Sequence, residues 1–351
     1  NSLDMLFREF DTEFPKDPVY DYYVDPKSRS WKPWADKLSA SWKPPNVEYT
    51  KIIVPTVDTI RYSFLLKTLI NSGINTLIVG GTGTGKTAIV QTTLDKLEHV
   101  HWAKTNINFS AQTSSNSVQV IIESNVEKKT KNKYGPPANK KLIAFVDDMN
   151  MPQKDLFGSQ PPIELLRQWI DYGFFYDRKD QRKIFIEGMQ LVAAMGPPGG
   201  GRTTISTRMQ SRFNIINFTQ PTESQVFSIF NTLLFCVLEK HEELKSECEA
   251  ITRCTIDIYN SITTTLLPTP AKSHYMFNLR DLSKVFQGLR QADHDSFTGK
   301  EDLYRLWVHE VYRVFHDRLN TDEDSEWIRD RINEKLASEF STKWSMLFKG
   351  G

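Results

Sequence analysis

The sequence predicts an α/β fold, a parallel sheet with helices on both faces, followed by an all-α domain. Five short apolar runs, at residues 76–79, 107–109, 142–146, 191–194 and 215–218, are separated by longer helical or loop segments. That spacing suits crossover connections between parallel strands. The first run passes directly into the octapeptide Gly80-Gly81-Thr82-Gly83-Thr84-Gly85-Lys86-Thr87, after which Ala88-Ile89-Val90-Gln91 opens a helical pattern. Beyond Pro221 the pattern stays helical to the end, punctuated by Leu267-Pro268-Thr269-Pro270. An all-α domain is expected there.

Taken in order, residues 1–48 are rich in Pro, Trp, Tyr and Asp, with Trp31, Trp34 and Trp42 among prolines and no sustained period. They read as an extended arm whose aromatics need a surface to pack on. Residues 49–220 form the α/β part, opened by a helical stripe of Ile60, Phe64, Leu65 and Leu69. Six lysines between Lys128 and Lys141 surround the Gly135-Pro136-Pro137 turn without interleaved aromatics, and a solvated loop is expected. Residues 174–187 alternate enough to suggest a hairpin after a helix at 164–170. Residues 221–351 complete the chain as the helical domain.

Composition excludes several roles. The formal net charge of +1 gives no electrostatic footprint for nucleic acid or an anionic membrane surface. No apolar run approaches a membrane span. Cys236, Cys248 and Cys254 are few, odd in number and set in helical patterns, as expected of reduced cytosolic thiols without a metal. The start at Asn1, with neither initiator Met nor signal peptide, reads as an excised piece of something longer.

The octapeptide is a complete phosphate-binding loop. Its glycines let backbone N–H groups curl around phosphates, Lys86 can reach the β/γ oxygens, and the Thr87 hydroxyl is placed to ligate Mg²⁺. The candidate nucleotide contacts are Gly81, Thr82, Gly83, Thr84, Gly85, Lys86 and Thr87. The run at 142–146 then delivers Asp147 and Asp148 at the same edge of the sheet, where ligands of such sheets bind. Asp147 is the expected partner of Mg²⁺, with Asp148 facing the γ-phosphate and a lytic water.

Several motifs in one order carry a closer resemblance. Phe145-Val146-Asp147-Asp148-Met149-Asn150-Met151-Pro152, then Gln160-Pro161-Pro162-Ile163-Glu164-Leu165-Leu166-Arg167-Gln168-Trp169, then Ala194-Met195-Gly196-Pro197-Pro198-Gly199-Gly200-Gly201-Arg202 look like the AAA+ ring of dynein heavy chains. Val54-Pro55-Thr56-Val57-Asp58-Thr59 and Phe277-Asn278-Leu279-Arg280-Asp281-Leu282 resemble the third of its six modules, in axonemal form. The resemblance covers nearly the whole chain. It implies a P-loop NTPase of AAA+ type with a helical lid, binding ATP or ADP with Mg²⁺.

It also implies roles by position. Ile53 and Val54 fall in the loop that packs on adenine, with ordinary core packing as the alternative. Arg280 matches the lid sensor of the γ-phosphate, with a surface ion pair as the alternative. Arg208 and Arg212 flank the start of the last strand, where an arginine finger acting in trans on a neighbouring module is carried. Two departures bear on catalysis. The usual Asp-Glu pair is Asp147-Asp148, and the shorter side chain retracts by about 1.5 Å, enough to slow hydrolysis while binding survives. Gly196 stands where a polar sensor is expected, and Asn150 is the candidate to compensate.

The implied function is an ATP-binding module of an axonemal dynein ring with slow or regulatory hydrolysis. The alternatives are a permanently nucleotide-loaded structural module, or another AAA+ remodelling ATPase such as midasin; neutral charge and the aromatic arm argue against a helicase or clamp loader. Implied partners are neighbouring AAA+ modules and dynein accessory chains, with the microtubule reached only through parts absent from this sequence. The implied location is cytoplasmic, in the cytoskeleton of a ciliary or flagellar axoneme.

Overall fold

A computed structural model describes residues 18–25, 27–39, 42–239, 241–292 and 297–348, with residues 5, 6, 8, 9 and 15. The chain forms two compact units: residues 1–39 with 57–220, and residues 40–56 with 221–351. The division therefore leaves the segment 40–56, which the sequence splits between arm and α/β part, with the helices.

In the first unit, strands β3 (Thr76–Gly80), β4 (Trp102–Asn108), β7 (Lys141–Asp147), β10 (Met189–Met195) and β11 (Asn214–Phe218) make one parallel sheet in the order β11-β3-β10-β7-β4. Leu142, Ile143, Ala144, Phe145 and Val146 are all buried, because both faces of β7 are covered. One face packs Leu77, Ala144, Val146, Leu191 and Ala193 against Val118 and Ile122 of helix α3 (Ser115–Glu123) and Ile163 and Leu166 of helix α4 (Pro161–Tyr172). Helices α1 (Val57–Asn71) and α2 (Lys86–Asp95) lie against β3. Tyr62 of α1 stacks on Phe218 at 3.9 Å, and its hydroxyl accepts from the Thr219 N–H at 3.2 Å.

Two expectations change. The first part of the arm lies mostly outside the described residues, but β1 (Tyr22–Val24) and β2 (Trp31–Pro33) form an antiparallel hairpin instead of an extended run. It presents Trp34, which is buried between Tyr23 and Phe64 of α1. The Lys37 ammonium lies 3.8 Å from the Tyr23 ring centre, so apolar burial and a cation–π contact anchor this segment. The lysine-rich stretch is not simply a solvated loop. Strands β5 (Glu127–Lys128) and β6 (Lys133–Gly135) join the hairpin β8 (Phe174–Tyr176) and β9 (Lys183–Ile186) in a second sheet, ordered β5-β6-β9-β8. Lys129 and Lys133 pair with Glu127 and Glu187 at 2.5 and 2.6 Å, which neutralises part of the charge run.

In the second unit, helices α5 (Glu223–Leu238), α6 (Cys248–Thr265), α7 (Leu279–Gln291), α8 (Lys300–Val311) and α9 (Asp322–Glu339) surround one core. Thr222 and Asn278 cap α5 and α7 reciprocally with Gln225 and Asp281, satisfying N–H groups that a helix start leaves open. Burial pushes the Cys248 and Cys254 thiols up to about 12. Both are therefore neutral core groups at physiological pH.

Close packing in this unit turns on Gly288. A Cβ there would sit 1.9 Å from Glu310 Oε2, and that carboxylate is itself buried and held by Arg313 Nη2 at 2.6 Å. Gly288→Ala would normally help a helix by up to about 1 kcal/mol. Here the displaced ion pair reverses the sign, with an overpacking cost of about 1–3 kcal/mol. The expected result is a melting temperature lowered by several degrees in a thermal scan, and an unchanged or raised value would refute the contact.

Candidate nucleotide site

The site is assembled where three adjacent strands end. The phosphate loop follows β3, the carboxylates follow β7, and Gly196 follows β10, which lies between the other two. Sequence order hides this adjacency, because β10 comes last of the three yet occupies the middle.

Loop geometry depends on its glycines. Gly83 and Gly85 have φ of +85° and +79°, in the left-handed region that side chains disfavour. Gly80 is required for another reason, since a Cβ would lie 2.6 Å from the Phe218 carbonyl oxygen on β11. Thr82 is exposed at the loop tip, while Thr84 Oγ1 donates to the Gly81 carbonyl at 3.0 Å. Helix α2 starts at Lys86. Its open N–H groups and positive dipole end therefore face the loop, an arrangement that favours an anion. Lys86 Nζ donates to the carbonyls of Gly80 and Gly81 at 2.9 and 2.7 Å, so the ammonium folds back over the loop it serves.

Thr87 and Asp147 lie side by side. Thr87 Oγ1 donates to Asp147 Oδ2 at 2.8 Å, and Asp147 Oδ1 accepts the Asp148 N–H at 3.0 Å. A hydroxyl beside a carboxylate, next to a phosphate loop, is an all-oxygen donor set that fits Mg²⁺ completed by phosphate and water. Thr87 would hold the ion directly and Asp147 would hold its water.

Asp148 takes a less expected course. Its φ is +51°, a conformation that costs a non-glycine residue about 1–3 kcal/mol and that clusters at functional sites. Its Oδ1 pairs with Arg202 Nη2 at 3.3 Å. Asn150 is wholly buried; its Nδ2 donates to the Gly196 carbonyl at 2.8 Å, and its Oδ1 has no partner. Instead of standing in for a sensor facing water, Asn150 ties the loop after β7 to the end of β10. Thr203 reinforces the tie by donating its N–H to the Asn150 carbonyl at 2.9 Å. Gln160 Nε2 in turn bonds Thr203 Oγ1 at 2.7 Å.

The remaining candidates lie elsewhere. Arg212 Nε pairs with Asp171 Oδ1 at 2.7 Å, and the same carboxylate receives Arg167 Nη1 at 2.8 Å. Arg208, on the one-turn helix Thr207–Gln210, is exposed, and its side chain makes no ion pair among the described residues. In the second unit, Val54 is a core residue and Ile53 is half-buried. Arg280 is exposed in the first turn of α7. Arg202 is the charged residue beside Asp148 to which sequence reasoning gave no role. The Gly199-Gly200-Gly201 run before it was the available signal, since consecutive glycines mark a turn through positive φ.

This sheet order, with a phosphate loop and a strand-end carboxylate pair, defines a P-loop domain of AAA type, and a helical unit follows it in the chain. The chain matches the family model described as P-loop containing dynein motor region over residues 42–221, and that for the dynein heavy chain ATPase lid domain over residues 233–325. It belongs to the dynein heavy chain family. It is 52% identical to dynein axonemal heavy chain 2 of Homo sapiens over 96% of this chain and 8% of that one. Identity is 46% to the dynein-1-beta heavy chain, flagellar inner arm I1 complex, of Chlamydomonas reinhardtii, over 99% and 8% of the two chains. With dynein axonemal heavy chain 12 of Rattus norvegicus it is 42% over 92% and 11%. The chain thus spans about a tenth of the length of these relatives. Among the described residues, no helix is long and apolar enough to cross a membrane.

Proposed function

We propose that this chain is the third nucleotide-binding module of an axonemal dynein motor ring, with slow, regulatory ATP hydrolysis. The observation that carries the reading is the combination of an intact binding half and a compromised hydrolytic half. Gly83, Gly85, Lys86, Thr87 and Asp147 form a phosphate and metal cradle. Asp148, the carboxylate that would orient water, is short and bound to Arg202. The AAA and lid matches and the axonemal relatives support the assignment to a ciliary or flagellar motor.

The steps follow from these residues. The loop amides and Lys86 receive the phosphates of ATP, and Thr87 and Asp147 hold the metal edge. Bound Mg²⁺ would draw charge from the phosphate oxygens. Asp148 accepts the proton of a water aligned with the γ-phosphate only when it is released from Arg202. That condition ties turnover to the state of the loop holding Arg202, and the short side chain keeps it slow. The resemblance to dynein modules supports the adenine-wall role for Ile53 and Val54 and the lid-sensor role for Arg280. The exposed Arg208 is better placed than the paired Arg212 to act in trans on a neighbouring module. Neighbouring modules and accessory chains are the proposed partners, and movement along a microtubule belongs to the complete heavy chain.

Substitution of Asp148 tests the hydrolytic part in a full heavy chain under single-turnover conditions. Asp148→Glu extends the carboxylate by about 1.5 Å and should raise the rate, whereas Asp148→Asn should lower it without loss of ATP affinity. If neither changes the rate and extracted protein retains one nucleotide permanently, the module is structural.

A further inference from the structure

We propose that Arg202 is a terminal-phosphate contact of this site, a cation supplied by the turn after β10 in place of the polar side chain that Gly196 lacks. The inference rests on the nucleotide-site reading above and goes beyond it by assigning what distinguishes a triphosphate from a diphosphate.

Four observations converge. First, the turn is built to return Arg202 to the sheet edge. Gly199, Gly200 and Gly201 have φ of +124°, +56° and +84°, and the Gly199 and Arg202 backbones exchange hydrogen bonds at 3.0 and 3.1 Å. Three consecutive positive-φ residues are affordable only as glycine. Second, the side chain lies flat on Gly196: a Cβ there would meet Arg202 Nε at 2.9 Å and Cδ at 3.0 Å. The missing sensor side chain and the presence of Arg202 are therefore one feature, since any larger residue at 196 would displace the guanidinium.

Third, the position is central. Met195 is in register with Val79, so Gly196, directly after β10, follows at the level of Gly80, where the phosphate loop begins. On the other side, Asp148 follows β7. Arg202 spans from Gly196 to Asp148, in the row of strand ends where a bound nucleotide directs its last phosphate. Fourth, the guanidinium is only partly satisfied. Nη2 pairs with Asp148 at 3.3 Å, a long contact, while Nε is buried with no acceptor. A buried N–H without a partner costs about 1–3 kcal/mol. A phosphate oxygen is the acceptor that such a planar, permanently charged donor matches best.

Arg202 thus has two acceptors to choose between. With a diphosphate bound, Asp148 retains it. With a triphosphate, the γ-phosphate draws the guanidinium away and releases the carboxylate.

The test is competition against a fluorescent ADP analogue in the 351-residue chain, with Mg²⁺, using ADP and a non-hydrolysable β,γ-imido ATP analogue. Arg202→Ala should weaken the triphosphate analogue at least tenfold and leave ADP within about twofold, with Arg202→Lys intermediate. Gly196→Ala gives a second route, because it leaves the arginine in the chain but pushes it off its seat; it should reproduce the selective loss. Melting curves without nucleotide identify any variant that fails to fold. Equal losses for both nucleotides, or undiminished triphosphate preference in folded Arg202→Ala or Gly196→Ala protein, overturns the assignment. Failure of the unsubstituted chain to bind either nucleotide overturns the site itself.

Discussion

Lys86→Ala removes nucleotide binding over the concentration range in which the unsubstituted chain saturates. The ammonium carries the one side-chain positive charge within the phosphate loop, and it is held over the loop by the Gly80 and Gly81 carbonyls at 2.9 and 2.7 Å. Two losses coincide in the variant. The phosphates lose a charge-assisted contact, and the carbonyls lose the donor that fixes the loop's shape. Truncating one member of a shielded charge pair costs about 2–5 kcal/mol, or roughly 30-fold to several thousand-fold in affinity. Titration calorimetry with ADP and with the triphosphate analogue measures it directly. Unchanged affinity for both would remove this loop from the binding site.

Asp147→Asn separates the metal from the nucleotide. The amide must keep its oxygen on the Asp148 N–H, which Asp147 Oδ1 accepts at 3.0 Å, so its NH₂ turns toward Thr87, where Oδ2 accepts at 2.8 Å. A donor then faces the place where a metal-bound water would donate, and a formal negative charge is gone. Binding measured in EDTA should change little. The gain in affinity on adding Mg²⁺, expected to be tenfold or more in the unsubstituted chain, should largely disappear. Retention of the full Mg²⁺ effect would take Asp147 out of the metal site, whatever happened to turnover.

Much of this arrangement was legible because local chemistry dictates it. The octapeptide places Lys86 and Thr87 by backbone constraints alone, and the unbroken apolar run at 142–146 marks a doubly covered strand ending in Asp147. Strand β4 was only partly visible. It begins at Trp102, but it lies at the sheet edge, and exposed Lys104, Asn106 and Asn108 interrupt its apolar residues. The hairpin at β1 and β2 was missed because its strands are short and Trp34 gains its burial from a helix remote in sequence. The place of Arg202 was hidden for a related reason, although the glycine run before it marked a turn. Its partners at Gly196 and Asp148 follow different strands, and only the sheet order makes them neighbours.

The division of the chain also sets an order of events during its synthesis. Residues 40–56 group with 221–351, and Trp42, Tyr49, Ile52 and Val54 all pack into the helical core. These residues leave the ribosome before the strands of the parallel sheet, and the helices that cover them come after those strands. At about 5–20 residues per second, translating residues 57–220 takes roughly ten to thirty seconds. Throughout that interval an aromatic segment waits for its core while the sheet beside it in sequence is free to form. A nascent chain halted at residue 220 therefore carries a completed sheet and an unburied, adhesive stretch, the kind of exposed apolar surface that chaperones bind. No single cut can separate the two units into clean halves.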